Sequence, residues 1–291
     1  MRIASNKVKD IIAFFRQELH DLYDEAEIDR FVEICFEEYA GYSRLDVLNR
    51  QDATVNESDL LKFNFAVKDL KRGRPIQHIT GKAWFFDITL TVNEHVLIPR
   101  PETEELVQWI VDDHRKEVPS ISMLDIGTGS GCIAIVLKRK LPKNHVYALD
   151  VSSEALALAK QNALQGQADV HFIQSDILDR SGWSKLPSCA VIVSNPPYVR
   201  KSEKEAMHKN VVDFEPHTAL FVPDEDALIF YKTIGELGLE KLKPGGHLYF
   251  EINENLGLEV CILLQKLGYK DVQLRQDMSG KDRMVRSTHN P

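Results

Sequence analysis

The chain has 291 residues, 43% hydrophobic and 27% charged, which is ordinary for a soluble globular protein with one large domain or a small plus a medium one. A formal net charge of −8 disfavours binding along a long nucleic-acid duplex, because that usually needs a basic face. The four cysteines form no CxxC pair, which argues against a zinc site and favours reduced thiols.

The N-terminal stretch "MRIASNKVKD" is polar and lacks the apolar core of a signal peptide. No apolar run in the sequence approaches the ~20 residues that a helix needs to span a bilayer. We therefore expect a cytoplasmic protein with no membrane segment.

Residues 1–74 have the pattern of a small helical bundle. Apolar residues recur at helical spacing, as at Phe14, Phe15 and Leu19, and there is no proline before Pro75. Residues 75–98 are punctuated by glycine and proline, and "FFDITLTV" alternates, which predicts a linker with a β-hairpin. "PRPETEELV" then predicts a helix start, with Pro101 near the first turn.

Residues 99–291 form the third predicted part, and from residue 120 short apolar strands alternate with amphipathic helices. The predicted strands are "SMLDI", "HVYALD", "VHFIQ", "AVIVS", "HLYFEI", "DVQLR" and "RMVRS". The predicted helices lie around residues 131–140, 153–165, 225–242 and 255–267. This alternation predicts an α/β fold with helices on both faces of a sheet, and ligands in such folds bind at the carboxyl ends of the strands.

The loop "GTGSGC" follows the first of these strands. Gly127 and Gly129 permit a tight turn and the close approach of a ligand to the backbone. A dinucleotide fingerprint needs glycine or alanine at the sixth position, where Cys132 stands, and no Walker lysine is present. The loop alone is also compatible with a plain turn between a strand and a helix.

Acidic residues end the next two strands. Asp150 lies about 20 residues beyond the loop, where an acid can accept hydrogen bonds from both ribose hydroxyls. Asp176 and its neighbour Ile177 are suited to the amine and the apolar face of an adenine. Together with the glycine loop, these residues favour S-adenosylmethionine over NAD.

The fourth strand ends in "SNPPY", which suggests a rigid socket for a planar amine or amide. The Asn195 side-chain oxygen and the Pro196 carbonyl can accept the two N–H groups of an –NH2, and neither group is a base at neutral pH. Tyr198 can stack on a flat acceptor. Methyl transfer would then be an in-line displacement that depends chiefly on orientation. The same socket suits the amine of adenine in DNA or RNA, and an adaptor that binds the cofactor without catalysis is a third possibility.

Motifs outside the "SNPPY" turn help to choose among these possible functions. They are "GRPIQHITG" from Gly73, "LIPRPETEELV" from Leu97, "FEPHTALF" from Phe214 and "GKDRMVRS" from Gly280. With "GTGSGC", "ALD", "QSD" and "SNPPY", they resemble the PrmC/HemK family over nearly the whole chain from about residue 70. "NPPY" alone is shared too widely to decide the substrate, whereas "IPRPETE" and "FEPHTALF" make the resemblance specific.

The resemblance implies a Rossmann-like class I S-adenosylmethionine-dependent methyltransferase with an N-terminal helical bundle that helps to dock the substrate. The implied reaction is methylation of the side-chain amide nitrogen of glutamine in the GGQ motif of peptide chain release factors, with S-adenosylhomocysteine as product. No membrane, no stable nucleic-acid partner and no metal is expected. The main alternative remains an adenine-specific DNA or RNA N-methyltransferase.

Site residues follow by position. The expected cofactor-binding residues are Gly127, Thr128, Gly129, Ser130, Gly131, Asp150, Asp176, Ile177 and Asn195. The expected substrate-binding residues are Asn195, Pro196, Pro197 and Tyr198, of which Asn195, Pro196 and Tyr198 are the expected catalytic residues. Some relatives carry an aromatic residue where Ile177 stands, so stacking on adenine should be weaker here. His217 and Arg100 are expected to hold a loop and form a salt bridge or helix cap rather than to catalyse.

Overall fold

A computed structural model describes residues 3–116 and 120–290. Contacts divide the described chain into two compact units. One unit comprises the residues up to Gly81 together with His208–Phe214, and the other comprises the described residues of 82–207 and 215–290. The contacts therefore divide the chain at Gly81, beyond residue 74, and return a short later segment to the first unit.

The first unit is helical. Its helices up to Gly81 are α1 (Val8–Leu19), α2 (Glu25–Ala40), α3 (Arg44–Asn49), α4 (Glu57–Leu70) and α5 (Ile76–Thr80). Apolar faces of these helices meet in one core, where the rings of Phe36 and Phe63 lie 4.6 Å apart. Asp24 and Ser43 each accept a backbone N–H in the first turn of a helix, and these caps satisfy donors that a helix start leaves unpaired.

The predicted hairpin packs within the second unit. It consists of β1 (Lys82–Phe85) and β2 (Ile88–Thr91), paired antiparallel. Phe85 of β1 and the alternate residues Ile88 and Leu90 of β2 are buried in the same core as the apolar face of α6 (Pro101–His114). Period-2 burial therefore places one face of the hairpin against the α/β core.

The rest of the second unit contains a sheet of seven strands. In chain order its strands and helices are β3 (Ser122–Ile126), α7 (Cys132–Lys140), β4 (His145–Asp150), α8 (Ser153–Gln165), β5 (Val170–Gln174), β6 (Cys189–Ser194), β7 (Val199–Arg200), α10 (His217–Leu220), β8 (Phe221–Val222), α11 (Ile229–Lys241), β9 (Leu242–Glu251), α12 (Gly257–Lys266), β10 (Lys270–Gln276) and β11 (Asp282–Thr288). Helix α9 (Lys209–Phe214) belongs to the first unit. The sheet order is β10-β11-β9-β6-β3-β4-β5, in which β11 runs antiparallel to both of its neighbours and β9, β6, β3, β4 and β5 are parallel to one another.

Each face of the sheet carries its own apolar core. Val191 and Val193 of β6 pack on the side of α6 and α7, whereas Ile192 packs on the side of α11 and α12. Burial on both faces explains why the parallel strands are almost continuously apolar rather than alternating.

The starts of one helix and one strand differ by about four or five residues from those predicted. Helix α11 begins at Ile229 rather than near 225, because Pro223 precedes a separate 3-10 turn at Asp224–Asp226. Strand β9 begins at Leu242 rather than at His247, and a register shift between Cys189 and Val191 of β6 accommodates its glycine-rich start. The short strands β7 and β8 pair with each other in a segment for which the sequence predicted no strand.

Candidate active site

The strand order reverses between β3 and β6, which run parallel side by side. Ile126 and Ser194 end these strands in register, and the Ser194 hydroxyl donates a hydrogen bond to the Ile126 carbonyl at 2.7 Å. The glycine loop and the "NPPY" turn therefore start next to each other, at the position where α/β sheets bind ligands.

The glycine loop runs from β3 into α7 through left-handed backbone conformations. Gly127 and Gly129 have φ of +74° and +53°, and a Cβ added at either would meet no atom within 4 Å. Gly131 has a φ of +83°, but a Cβ there would lie 3.1 Å from the Ala159 Cβ. The first two glycines thus leave space beside the backbone, whereas the third permits close packing of α7 on α8.

Asp150 at the end of β4 is held by the backbone on both carboxylate oxygens. Oδ2 accepts the Gly129 N–H at 2.9 Å, and Oδ1 accepts the Ser152 N–H at 3.0 Å. These bonds fix the plane of the carboxylate and tie it to the glycine loop, and each oxygen retains further acceptor capacity.

Asp125, in β3, is a second carboxylate beneath the loop. It is fully buried and accepts a hydrogen bond from the Thr128 hydroxyl at 2.6 Å. Burial raises the pKa of Asp125 to about 7, and the nearby charge of Asp150 acts in the same direction.

Asp176 and Ile177 lie in a turn just beyond β5, which ends at Gln174. The Trp183 indole N–H donates to the Ile177 carbonyl at 2.9 Å, while Asp176 Oδ1 accepts the Leu178 N–H at 2.9 Å. Ile177 is buried apart from 7% of its surface. The two residues predicted at the adenine are therefore held in a tight local turn.

The Asn195 side chain is hydrogen-bonded to Thr103 of α6. Asn195 Nδ2 donates to Thr103 Oγ1 at 3.2 Å, and the Thr103 hydroxyl donates to Glu251 Oε2 at 2.6 Å. The Tyr198 hydroxyl approaches the other oxygen of Glu251 at 3.4 Å, and burial raises the pKa of Tyr198. The "NPPY" turn is thus tied through α6 to the end of β9.

A cavity of about 420 Å³ within the second unit brings most of the predicted residues together, and this size suits a cofactor site. Predicted residues that line it are Gly127, Thr128, Gly129, Ser130, Asp150, Asp176, Ile177, Asn195, Pro196 and Pro197. Gly131 and Tyr198 are not among its lining residues. Among the described residues, no group of three or more His, Cys, Asp or Glu side chains is arranged to hold a metal ion.

Two family profiles match the chain. The PrmC N-terminal domain profile matches residues 10–81, and the methyltransferase small domain profile matches residues 103–214. A release factor glutamine methyltransferase of Flavobacterium psychrophilum is 44% identical, covering 96% of this chain and 98% of that protein. One of Bacteroides thetaiotaomicron is 43% identical, covering 94% and 98%. The chain belongs to the release factor glutamine methyltransferase family.

Solved structures of other methyltransferases have a similar fold. A Pyrococcus furiosus methyltransferase superposes with a TM-score of 0.51 at 17% identity, covering 71% of this chain and 91% of that one. The 16S rRNA N2 G1207 methyltransferase of Thermus thermophilus, solved with AdoMet and guanosine, gives 0.52 at 14% identity, covering 72% and 50%. The second unit therefore has the Rossmann-like fold of class I S-adenosylmethionine-dependent methyltransferases, as the sequence predicted.

Several polar residues that support the cavity were not predicted as site residues. Asn162 of α8 donates to the carbonyls of Ser130 and Thr91, at 2.9 Å each, and so holds the glycine loop. Glu215 is buried, accepts the Ile98 N–H at 3.0 Å and pairs with Arg100 on the cavity wall. An amide or acid inside an otherwise apolar segment was the available signal, but its partners are distant in sequence.

Proposed function

We propose that this protein transfers the methyl group of S-adenosylmethionine to the side-chain amide nitrogen of the glutamine in the GGQ motif of peptide chain release factors. The observation that carries the proposal is the Asn195 amide, held with its nitrogen on Thr103 at the wall of a cofactor-sized cavity. Similarity to release factor glutamine methyltransferases over nearly the full length of the chain supports the choice of substrate.

The cavity fits the cofactor. Open space beside Gly127 and Gly129 would admit its methionine end, and the fixed Asp150 carboxylate would accept the ribose hydroxyls. Asp176 and Ile177 would bind the adenine amine and face. When bound, S-adenosylmethionine supplies an electrophilic methyl group on a sulfonium.

The residues of this chain would bind the glutamine amide, which is the methyl acceptor, and orient its nitrogen. With Nδ2 on Thr103, the Asn195 Oδ1 is available to accept one N–H of the glutamine, and the Pro196 carbonyl would accept the other. Two acceptors also select glutamine against glutamate, because a carboxylate would face oxygen atoms without a donor. Withdrawing both protons toward these acceptors raises the electron density on the nitrogen and directs it at the methyl group.

Asn195 is not a base, so proton loss follows methylation and is not a step that its amide performs. Tyr198 does not line the cavity, and its hydroxyl approaches Glu251, so it would support the turn from behind instead of stacking on the flat acceptor.

The helical unit would help to dock the release factor, and no stable binding of nucleic acid is expected from a chain with a net charge of −8. No helix in the described part of the chain is both long enough and apolar enough to cross a membrane. We place the activity in the cytoplasm, where release factors act.

The test is a radiolabelled methyl-transfer assay with purified protein. Release factors from the same organism, their GGQ Gln→Ala variants, DNA and RNA are offered in parallel. Label on the wild-type factors alone supports the proposal. Label on nucleic acid alone would retain amine methylation but overturn the substrate, and no label on any acceptor would overturn the enzymatic function.

A further inference from the structure

A chain of hydrogen bonds behind Asn195 determines which end of its amide reaches the cavity. We propose that Thr103 and Glu251 are positioning residues that hold the Asn195 amide with its oxygen toward the substrate and its nitrogen away from it. This inference deepens the proposed function, because the orientation matters only if the acceptor is an –NH2 group.

Glu251, at the end of β9, is 1% exposed. An ionised carboxylate accepts hydrogen bonds and donates none. The Thr103 hydroxyl, 2% exposed and 2.6 Å from Oε2, must therefore point its proton at Glu251. Thr103 Oγ1 is then left only with lone pairs for its other neighbour.

That neighbour is the Asn195 amide, 3.2 Å away. An oxygen that offers only lone pairs pairs with the –NH2 end of an amide and not with its carbonyl. Asn195 Nδ2 is drawn to Thr103, so Oδ1 is the end available to a glutamine amide. The direction of each bond follows from the charge of Glu251, two residues removed from the substrate.

Protonation of Glu251 would reverse this chain of bonds. A carboxylic acid can donate to Thr103 Oγ1, which frees the threonine hydroxyl to donate to Asn195 Oδ1 and turns Nδ2 toward the substrate. The Asn195 Nδ2 would then face the N–H groups of the glutamine amide, and the glutamine would lose one of its two hydrogen-bond acceptors. Burial raises the pKa of Glu251 to about 7, so the change falls in an accessible pH range.

Charged and titratable groups face Glu251 from every side. Glu102 of α6 raises its pKa further, while Arg283 of β11 and the hydroxyls of Thr103 and Tyr198 lower it. The Tyr231 hydroxyl of α11 bonds to backbone and not to the carboxylate: it lies 3.4 Å from the Glu251 carbonyl, and a backbone hydrogen bond with Asn253 also acts on it. The charge of Glu251 raises the pKa of the Cys132 thiol in α7. Tyr231→Phe is therefore a matched control that removes a neighbouring hydroxyl without touching the carboxylate.

The kinetic test compares kcat and KM for a release factor at saturating S-adenosylmethionine from pH 6 to 8.5. Wild type and Tyr231→Phe should gain kcat as pH rises through about 7. Thr103→Val should lose roughly tenfold in kcat, the worth of one hydrogen bond, with cofactor affinity retained. Thr103→Ser should restore most of it, and Glu251→Gln should have a lowered kcat with no limb near pH 7.

Asp125 titrates in the same range beneath the glycine loop, so it needs a control of its own. Asp125→Asn should keep the kcat limb near pH 7, because Asp125 does not contact the Asn195 chain of bonds. Loss of the limb in Asp125→Asn but not in Glu251→Gln would overturn the proposal, as would a Thr103→Val enzyme with wild-type kcat and pH profile.

A second measurement requires no methyl acceptor and so separates this proposal from the proposed function. The side-chain amide of Asn195 is observed by NMR after selective ¹⁵N-asparagine labelling and is assigned with Asn195→Ala. Its two proton shifts should titrate near pH 7 in wild type and Tyr231→Phe but not in Glu251→Gln. If the proton shifts of the Asn195 amide changed neither with pH nor in Thr103→Val and Glu251→Gln, the positioning role would be overturned, whatever the wild-type enzyme methylates.

Discussion

At the scale of single residues, the proposed binding of the glutamine amide relies on neutral acceptors rather than on an acid or a base. Asn195 and Pro196 contribute oxygen atoms on a rigid turn, and two adjacent prolines limit how far that turn can relax. A planar amide can be aimed this way without any proton moving before the methyl group is transferred. The proposed methyl transfer would therefore depend on the orientation of one side chain, that of Asn195.

Truncating that side chain tests this dependence. Asn195→Ala should lower kcat by roughly 10²-fold, comparable with the loss of one preorganised transition-state contact. Affinity for S-adenosylhomocysteine, measured by calorimetry, should change little, because Asp150 and the glycine loop remain. Turnover near that of wild type would contradict the role assigned to the amide.

Asp125 gives a prediction about stability. Its pKa is raised to about 7 by burial, whereas an unfolded aspartate titrates near ~3.9, so the folded chain binds more protons between these values. The free energy of unfolding contributed by Asp125 therefore falls as pH rises from about 4 to about 7.

Asp125→Asn removes this contribution and keeps an oxygen for the Thr128 hydroxyl. Urea unfolding at pH 5 and pH 8 should show the variant gaining stability relative to wild type at the higher pH. Glu251 has the same sign but is present in both proteins, so it cancels from the comparison. An equal difference at both pH values would show that Asp125 is not protonated in the folded state.

At the scale of elements, an ion pair between Arg100, just before α6, and Glu215, two residues before α10, joins two segments at the cavity wall. Arg100 has 32% of its side-chain surface exposed, whereas the Glu215 side chain has 1%. Removing the arginine leaves a buried carboxylate whose one other partner among the described residues is the Ile98 N–H, while removing the glutamate charge leaves an arginine that can turn toward solvent.

We therefore expect an asymmetric cost. Arg100→Ala should lower the free energy of unfolding by about 1–3 kcal/mol, discounted for the exposure of Arg100, and Glu215→Gln should lower it by less. Chemical denaturation of both variants beside wild type measures the difference. A larger loss in Glu215→Gln would mean that the Ile98 bond, and not the ion pair, stabilises this wall.

Sequence patterns predicted the elements that carry the chemistry because their signals are local. The helix predicted at 153–165 coincides with α8, and the strands before "GTGSG" and "NPPY" end where expected. Thr103 and Glu251 lie far apart in the chain and meet only through the fold, and so do Arg100 and Glu215, so no local pattern could pair them. The pairing of β7 with β8 could not be predicted for the same reason, because residues 201–220 separate the two strands in the chain.

At the scale of the whole molecule, every predicted cofactor residue belongs to one of the two compact units. A ligand that binds only folded protein raises the free energy of unfolding by about 2.7 kcal/mol at a concentration of 100 Kd. S-adenosylhomocysteine should therefore raise the unfolding temperature of the unit that contains β3 to β6 and their loops.

Asp150→Ala should reduce this stabilisation more than any change in the "NPPY" turn. Its carboxylate both fixes the Gly129 N–H and is the proposed acceptor for the ribose hydroxyls, so its loss disturbs the loop and the ligand together. Calorimetric scans across a series of S-adenosylhomocysteine concentrations measure this. Asp150→Ala should need a much higher ligand concentration than wild type to reach the same rise in unfolding temperature, whereas Asn195→Ala should follow wild type. If Asp150→Ala followed wild type and Asn195→Ala did not, the cofactor would be held mainly from the side of the turn, and the division of the cavity into a cofactor end and an amide end would be wrong.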